Sequence, residues 1–207
     1  MRKFVQALSL PLIGMIALTY SVAINAAPSI GQAAPDFTAV DTNGNSVSLS
    51  ELRGKTVILE WTNHQCPYVA KHYGSGNMQG LQGEAANDDI VWVSLISSAE
   101  GKQGYVDAEQ ANQLTSDRNA APSHVVLDPS GDIGRLYKAR TTPHMFVINT
   151  EGTLAYMGGI DDKPTADKAD IKIANNYVRA ALNEIKQGKA ISTPTSRPYG
   201  CSVKYDT

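Results

Sequence analysis

Apolar positions along the chain follow two rhythms. Unbroken runs occur at Val57-Ile58-Leu59, which closes in Glu60-Trp61, at Ile90-Val-Trp-Val-Ser-Leu-Ile96, and at Ser123-His-Val-Val-Leu127. Short runs without alternation suit strands covered on both faces. Met145-Phe-Val-Ile148, a turn at Asn149-Thr-Glu-Gly152, and Leu154-Ala-Tyr-Met157 predict a β-hairpin. Between these runs the spacing becomes helical. Pro67 opens a helix that meets Gly74 and Gly76, so a break is expected there, with a second helical piece from about Met78 to Ala86. Asp107 to Arg118 and Ile133 to Ala139 read as further helices. Ala166 to Gln187 is predicted as one amphipathic helix, with Ile171, Ala174, Val178, Ala181, Leu182 and Ile185 on one stripe and Gly188 at its end. The lead-in from Pro28 to Gly44 is rich in loop residues, and Asn45 to Leu49 alternates as a short strand would. Lys189 to Thr207 carries Pro194, Pro198 and Gly200 and has no period. Strands alternating with helices predict an α/β domain with a mainly parallel sheet, covered on both sides and closed by the hairpin.

Composition alters this picture at the amino end. Arg2 and Lys3 precede an apolar stretch from Phe4 to Ala23, and small residues follow at Asn25-Ala26-Ala27. That layout predicts a secretory signal peptide over residues 1–26, cut near Ala26. The stretch is short for a membrane span, and no later stretch is apolar enough to be one. The division expected is a signal peptide at 1–26, a folded domain at 29–188, and a tail at 189–207. Loss of Arg2 and Lys3 takes the 18 Lys and Arg to 16 against 20 Asp and Glu. With no basic cluster, nucleic acid is excluded as a partner. Neither is a membrane a partner once the peptide is cut. Two cysteines remain, Cys66 and Cys201. An exported chain lives where disulfides persist, and two cysteines allow one bridge.

The chemistry concentrates at Thr56 to Tyr73. A buried strand ends, a polar turn Thr62-Asn-His-Gln65 follows, and Cys66-Pro67 opens a helix. Pro suits the first helical position, where its missing N–H would be unpaired anyway. Cys66 therefore meets free amides and the positive end of a helix dipole, which favours the reactive thiolate. The alternative is a small buried apolar residue, the common role of a free cysteine. Glu60 among apolar neighbours reads as buried, and a buried carboxylate without a task is costly. His64 and His144 are candidate companions of Cys66, as charge partners or as a copper or zinc site, although the spacing matches no standard metal motif.

Several stretches together resemble a known family: Gly31-Gln-Ala-Ala-Pro-Asp-Phe37, Glu60-Trp-Thr-Asn-His-Gln-Cys-Pro-Tyr68, Ser75-Gly-Asn-Met-Gln79, Arg140-Thr-Thr-Pro-His144, Tyr156-Met-Gly-Gly-Ile-Asp-Asp162 and Arg197-Pro-Tyr-Gly-Cys-Ser-Val-Lys204. The sequence resembles the thioredoxin-like superfamily, and within it the peroxiredoxin-like (redoxin, AhpC/TSA-type) proteins exported by bacteria, over about residues 29 to 205. The resemblance implies a thioredoxin-like fold: a central mixed β-sheet flanked by helices, here with an extra C-terminal helix and an extended tail. It implies that Cys66 is the attacking cysteine, that Thr142-Pro143 is the cis-proline beside it, and that Glu60 is the family's buried acid. In Cys66-Pro-Tyr-Val69, Val69 stands where a thioredoxin has its second cysteine. The peroxiredoxin pattern Pro-x-x-x-Thr/Ser-x-x-Cys is not met, since Leu59 and Asn63 occupy its first two fixed positions.

The function implied is an exported, periplasmic thiol–disulfide oxidoreductase, acting on protein or small-molecule thiols and disulfides, with no cofactor and no resident metal. Cys201 is then the internal resolving cysteine, in a reversible Cys66–Cys201 disulfide. The pair could equally be a permanent staple, which would stabilise the fold by up to about 4 kcal/mol, or two free thiols. The other functions open at this point are a thiol peroxidase acting on hydrogen peroxide and a non-catalytic copper- or partner-binding domain.

Overall fold

The computed structural model describes residues 27–206. The expected signal peptide lies outside the described residues. Among the described residues no helix is long and apolar enough to cross a membrane.

The apolar runs form the sheet. In chain order its strands are β3 (Val57–Trp61), β4 (Val91–Ile96), β5 (His124–Leu127), β7 (His144–Ile148) and β8 (Leu154–Gly158). They lie side by side as β5-β4-β3-β7-β8. β3 and β4 are buried at every position, as their unalternating sequences require. β3–β4 and β4–β5 pair in parallel, whereas β3–β7 and β7–β8 pair antiparallel, so the sheet is mixed rather than mainly parallel. The hairpin accounts for one of the antiparallel pairings. The other arises because β7 inserts directly against β3. This is the thioredoxin-like arrangement that the resemblance implied.

Each face of the sheet has its own cover. Leu59, Trp61, Val93, Leu95, Phe146 and Ile148 pack under the lead-in, which holds Phe37, Val47 and Leu49. That lead-in is a small hairpin of β1 (Thr38–Val40) and β2 (Ser46–Ser48). Ile58, Trp92, Met145 and Val147 face the other way, toward α1 (Pro67–Gly74), α2 (Asn77–Asn87) and α5 (Tyr177–Lys186). α3 (Ala108–Asp117) covers Ile96 and Val125 near the β5 edge, and α4 (Asp132–Leu136) precedes the turn toward β7. The break between α1 and α2 falls where Gly76 adopts φ +76°, a conformation glycine takes at no steric cost.

Two further expectations are corrected. The helix predicted from Ala166 is a 3₁₀ turn at Lys168–Lys172, and α5 begins only at Tyr177. The Asn175-Asn176 pair interrupts it. Asn175 binds both oxygens of Asp162, and the Asn176 side chain caps α5 by accepting from the Arg179 N–H. The aperiodic tail is also an ordered element. Its β9 (Cys201–Ser202) pairs antiparallel with β6 (Thr141–Thr142).

Candidate active site

Topology brings the site together. β3 runs out at Trp61 toward Cys66, and β7 runs the opposite way, so His144 lies opposite Trp61. The residues just before β7, Thr142 and Pro143, therefore arrive beside the residues just after β3. The Thr142–Pro143 bond is cis. The carboxyl end of a strand next to a change in strand direction is a common place for a site in an open α/β sheet.

Cys66 is the N-cap residue of α1, and Pro67 opens the helix. The sulfur is 0% exposed. Its S–H donates to the Thr142 carbonyl at 3.1 Å. The tail adds the second thiol. Cys201 is paired with Thr142, whose carbonyl accepts from Cys66, so the two cysteines lie near each other. Both cysteines are free thiols in this state.

The arrangement provides for either charge state of Cys66. Burial alone would raise its pKa, but donors outweigh it. They are the Cys201 thiol, the Val69 N–H turned toward the sulfur from the first helical turn, the Thr142 hydroxyl and the Cys201 N–H. The Val69 amide does not close a full capping hydrogen bond, so its contribution is that of an oriented dipole. Thr142 Oγ1 is buried and has no other partner. It is thus the natural donor to a thiolate, as the Thr142 carbonyl is the acceptor for a thiol. The net effect is a Cys66 pKa below the ordinary thiol value. Cys201 moves the other way, pushed up to about 11, first by burial and then by the neighbouring Cys66 sulfur. One proton shared by two sulfurs therefore rests on Cys201, and the negative charge rests on Cys66.

Glu60 is fully buried on the sheet face that carries Cys66. It accepts from Tyr73 Oη at 3.0 Å, Trp92 Nε1 at 2.9 Å and Ser94 Oγ at 3.0 Å. Tyr73 in turn is held well above the usual phenol pKa by burial and by Glu60. None of the hydrogen bonds Glu60 makes is to Cys66.

The histidines do not join the sulfur. His144 packs at a tilt on Phe146, with centroids 4.5 Å apart, on the sheet face away from Cys66. Its Nδ1 accepts from the Arg140 N–H at 3.3 Å. Burial and then Arg118 lower the His64 pKa, which disfavours an imidazolium partner for the thiolate. Among the described residues no group of three His, Cys, Asp or Glu side chains is placed to hold a metal ion.

Sequence reasoning missed a second polar cluster, which touches the tail. Lys71 and His72 on α1, Asp161 after β8, and Tyr199 are all buried together. Tyr199 Oη donates to Asp161 Oδ1 at 2.6 Å. A cleft of about 530 Å³ opens beside it, lined by Thr141, Asp161, Tyr177, Arg197, Tyr199 and Gly200 among others. The signal was present in Tyr156-Met-Gly-Gly-Ile-Asp-Asp162 and Arg197-Pro-Tyr-Gly-Cys201. What no sequence reading offered was that these two stretches meet.

A mixed sheet of this order, with a cysteine at the start of the helix after its central strand and a cis Thr142–Pro143 bond whose threonine carbonyl accepts from that sulfur, defines a thioredoxin-fold thiol protein. The AhpC/TSA family profile matches residues 30–157, and the chain belongs to that family. The thiol-disulfide oxidoreductase ResA of Bacillus subtilis is 30% identical over 131 residues, which is 60% of this chain and 64% of that relative. The chain thus spans just under two thirds of that protein's length. A ResA of Halalkalibacterium halodurans is 24% identical over 78% of this chain and 90% of its own. Among solved structures, a hypothetical protein of Sinorhizobium meliloti 1021 superposes with a TM-score of 0.72 at 22% identity, covering 88% of this chain and 97% of that one. That likeness is one of fold.

Proposed function

We propose that the protein is an exported thiol–disulfide oxidoreductase that uses Cys66 and Cys201 as its redox pair. The observation that carries this reading is the seating of the Cys201 thiol against Cys66 by β6–β9 pairing, with the donors arranged so that Cys66 bears the charge. Relatives named as thiol-disulfide oxidoreductases support it. Export accords with the amino-terminal segment and with chemistry that needs a compartment where disulfides persist.

The steps balance as ordinary exchange. The Cys66 thiolate attacks one sulfur of a substrate disulfide. A Cys66–substrate bond forms, the substrate S–S bond breaks, and the other substrate sulfur leaves as a thiolate. Once Cys66 is in a mixed disulfide, its charge no longer holds the Cys201 proton. Cys201 loses that proton to solvent and attacks Cys66. The Cys66–Cys201 bond forms, and the second substrate sulfur leaves reduced. An external thiol resets the pair, and the reverse sequence oxidises a dithiol. Thr142 and Pro143 form the wall against which the sulfurs meet. Glu60 is a positioning residue in this scheme, since it touches neither sulfur.

The thiolate's substrate is a protein or small-molecule disulfide; the peroxidase function is separated from it in the same experiment. Cys66→Ser brings reduction of insulin disulfides down to background, while Cys201→Ser still attacks but accumulates a mixed disulfide at Cys66, read by mass spectrometry. Unchanged turnover in Cys66→Ser ends this reading. Rapid sulfenic acid formation at Cys66 with hydrogen peroxide, and no disulfide reduction, would move the protein to the peroxidase class.

A further inference from the structure

The Lys71–His72–Asp161–Tyr199 cluster takes no part in the exchange just described, yet it is costly to bury. Asp161 is 2% exposed. Its Oδ1 accepts from Tyr199 Oη at 2.6 Å and from the Lys163 N–H at 2.9 Å. Its Oδ2 has no hydrogen-bond partner and lies 4.0 Å from Lys71 Nζ and 3.9 Å from His72 Nε2. Lys71 Nζ donates instead to the Lys163 carbonyl at 2.9 Å.

The hydrogen bonds form a chain with one direction. Tyr199 Oη spends its proton on Asp161. Its oxygen must then accept from His72 Nε2, 3.1 Å away. That assigns the His72 proton to Nε2 and leaves Nδ1 as an acceptor for the Asn77 amide at 2.9 Å. The order Asn77 to His72 to Tyr199 to Asp161 satisfies every member except Asp161 Oδ2. Tyr199 also meets Tyr68 edge-on at 5.9 Å, and Lys71 Nζ lies 5.7 Å from its ring centre. Tyr68, Lys71 and His72 are three and four residues apart and share one face of α1. Cys66 caps that same helix. Tyr199 is therefore pegged to the helix that carries the nucleophile, two residues before Cys201.

We propose that this cluster is the positioning site for the resolving cysteine: the Tyr199 peg, held by Asp161 and His72, sets the register that places Cys201 at Cys66. Resting on the reading of Cys66 and Cys201 as the redox pair, it gives that pair its high effective concentration. Beyond Cys201 the chain is held by the Val203 N–H on the Arg140 carbonyl, the Ala99 N–H on the Lys204 carbonyl and Tyr205 Oη on the Ala139 carbonyl. Before Cys201 the peg ties the chain to α1, so the cysteine is set between two anchors and its reach to Cys66 depends on both.

The test is closure of the pair in glutathione redox buffers, with the internal disulfide and the glutathione adduct at Cys66 counted by mass spectrometry. The wild type closes, and the adduct stays scarce. Tyr199→Phe keeps the ring and removes the peg's hydroxyl. The effective concentration of Cys201 falls about tenfold or more, as expected for loss of a hydrogen bond to a charged group, and the adduct accumulates. Asp161→Asn moves the constant the same way, and it decides the matter if Tyr199→Phe does not fold. A wild type and variants that close with equal constants overturn the proposal and leave the redox pair intact. A drop in melting temperature with no change in the constant also overturns it, because the cluster is then only structural. A wild type that forms no internal disulfide at any buffer ratio overturns the pairing itself, and the proposal with it.

Discussion

A carboxylate with no solvent contact must find its donors within the protein, and Glu60 finds Tyr73, Trp92 and Ser94. All of them donate, so the site is built for an acceptor and nothing else. Glu60→Gln replaces one oxygen with an NH₂ that faces a donor. A buried donor left unpaired costs about 1–3 kcal/mol, which lowers the melting midpoint by about 2–4 °C for each kcal/mol in a chain of this size. The donors that lower the Cys66 pKa are Cys201, Val69 and Thr142, and Glu60 is not among them. The same variant should therefore leave the pH midpoint of Cys66 alkylation in place. A midpoint displaced by about a unit would make Glu60 a direct proton partner of the sulfur. The burial of Glu60 was legible in the sequence, because Val57-Ile-Leu59 before it and Trp61 after it could only be core. Its partners were not legible, since Trp92 and Ser94 come from β4 and Tyr73 from α1.

Elements that owe their existence to their own periodicity were readable; elements that owe it to a partner were not. β3, β4 and the β7–β8 hairpin carry their own apolar pattern, and the Cys66-Pro67 helix start carries its own cap. β6 and β9 are two residues each and exist only against one another. That is why the tail read as loop although it completes the site. α5 failed in the opposite sense. An apolar stripe ran past its true start, and only the Asn175-Asn176 side-chain bonds show where the helix begins. The β6–β9 contact has a sharp steric requirement. Gly200 sits at φ +131°, and a Cβ there would lie 2.0 Å from the Thr142 carbonyl oxygen. A backbone atom inside a strand pair cannot yield by that much. Overpacking costs about 1–3 kcal/mol, and the clash is relieved only if Gly200 and the adjoining β9 move away from Thr142. Gly200→Val should therefore lift the tail. Cys66, sealed in the wild type, should then react with iodoacetamide without protection, and the internal disulfide should fail to form. A valine variant with Cys66 still protected would mean that something other than the tail covers the sulfur.

At the scale of the molecule, the antiparallel insertion of β7 beside β3 places both a nucleophile and two buried histidines in one framework. His72 and His144 are each held at a pKa of about 3. Burial is the larger cause in both, with Lys71 adding to it at His72 and Arg140 at His144. His72 also faces Asp161 and Tyr199, yet its Nδ1 lone pair is occupied by the Asn77 amide, so the second proton finds no free nitrogen and the ring stays neutral beside the carboxylate. The folded pKa lies below the unfolded value of about 6.5. Between those limits the unfolded chain takes up protons that the folded chain refuses. Stability is thus complete above about pH 6.5 and is lost as the pH falls toward about 3, by up to about 1.4 kcal/mol per pH unit for each histidine. Asp41, lowered to about 2 against its ordinary 3.8, acts in the same sense but only below that ordinary value, so its window meets that of the histidines only at their acid end. Burial is again the first influence on Asp41, and it opposes the shift; hydrogen bonds from His124, Asn45 and Asn43 overcome it. The melting midpoint should hold from about pH 7 to about pH 6.5 and then decline steadily to about pH 4. His144→Gln keeps an acceptor for the Arg140 N–H and removes one of the titrating groups, so its decline should be shallower. A midpoint that stays level across that range would show that neither imidazole is buried neutral, and the one-way hydrogen-bond chain through His72 to the tail would then have to run in a different sense.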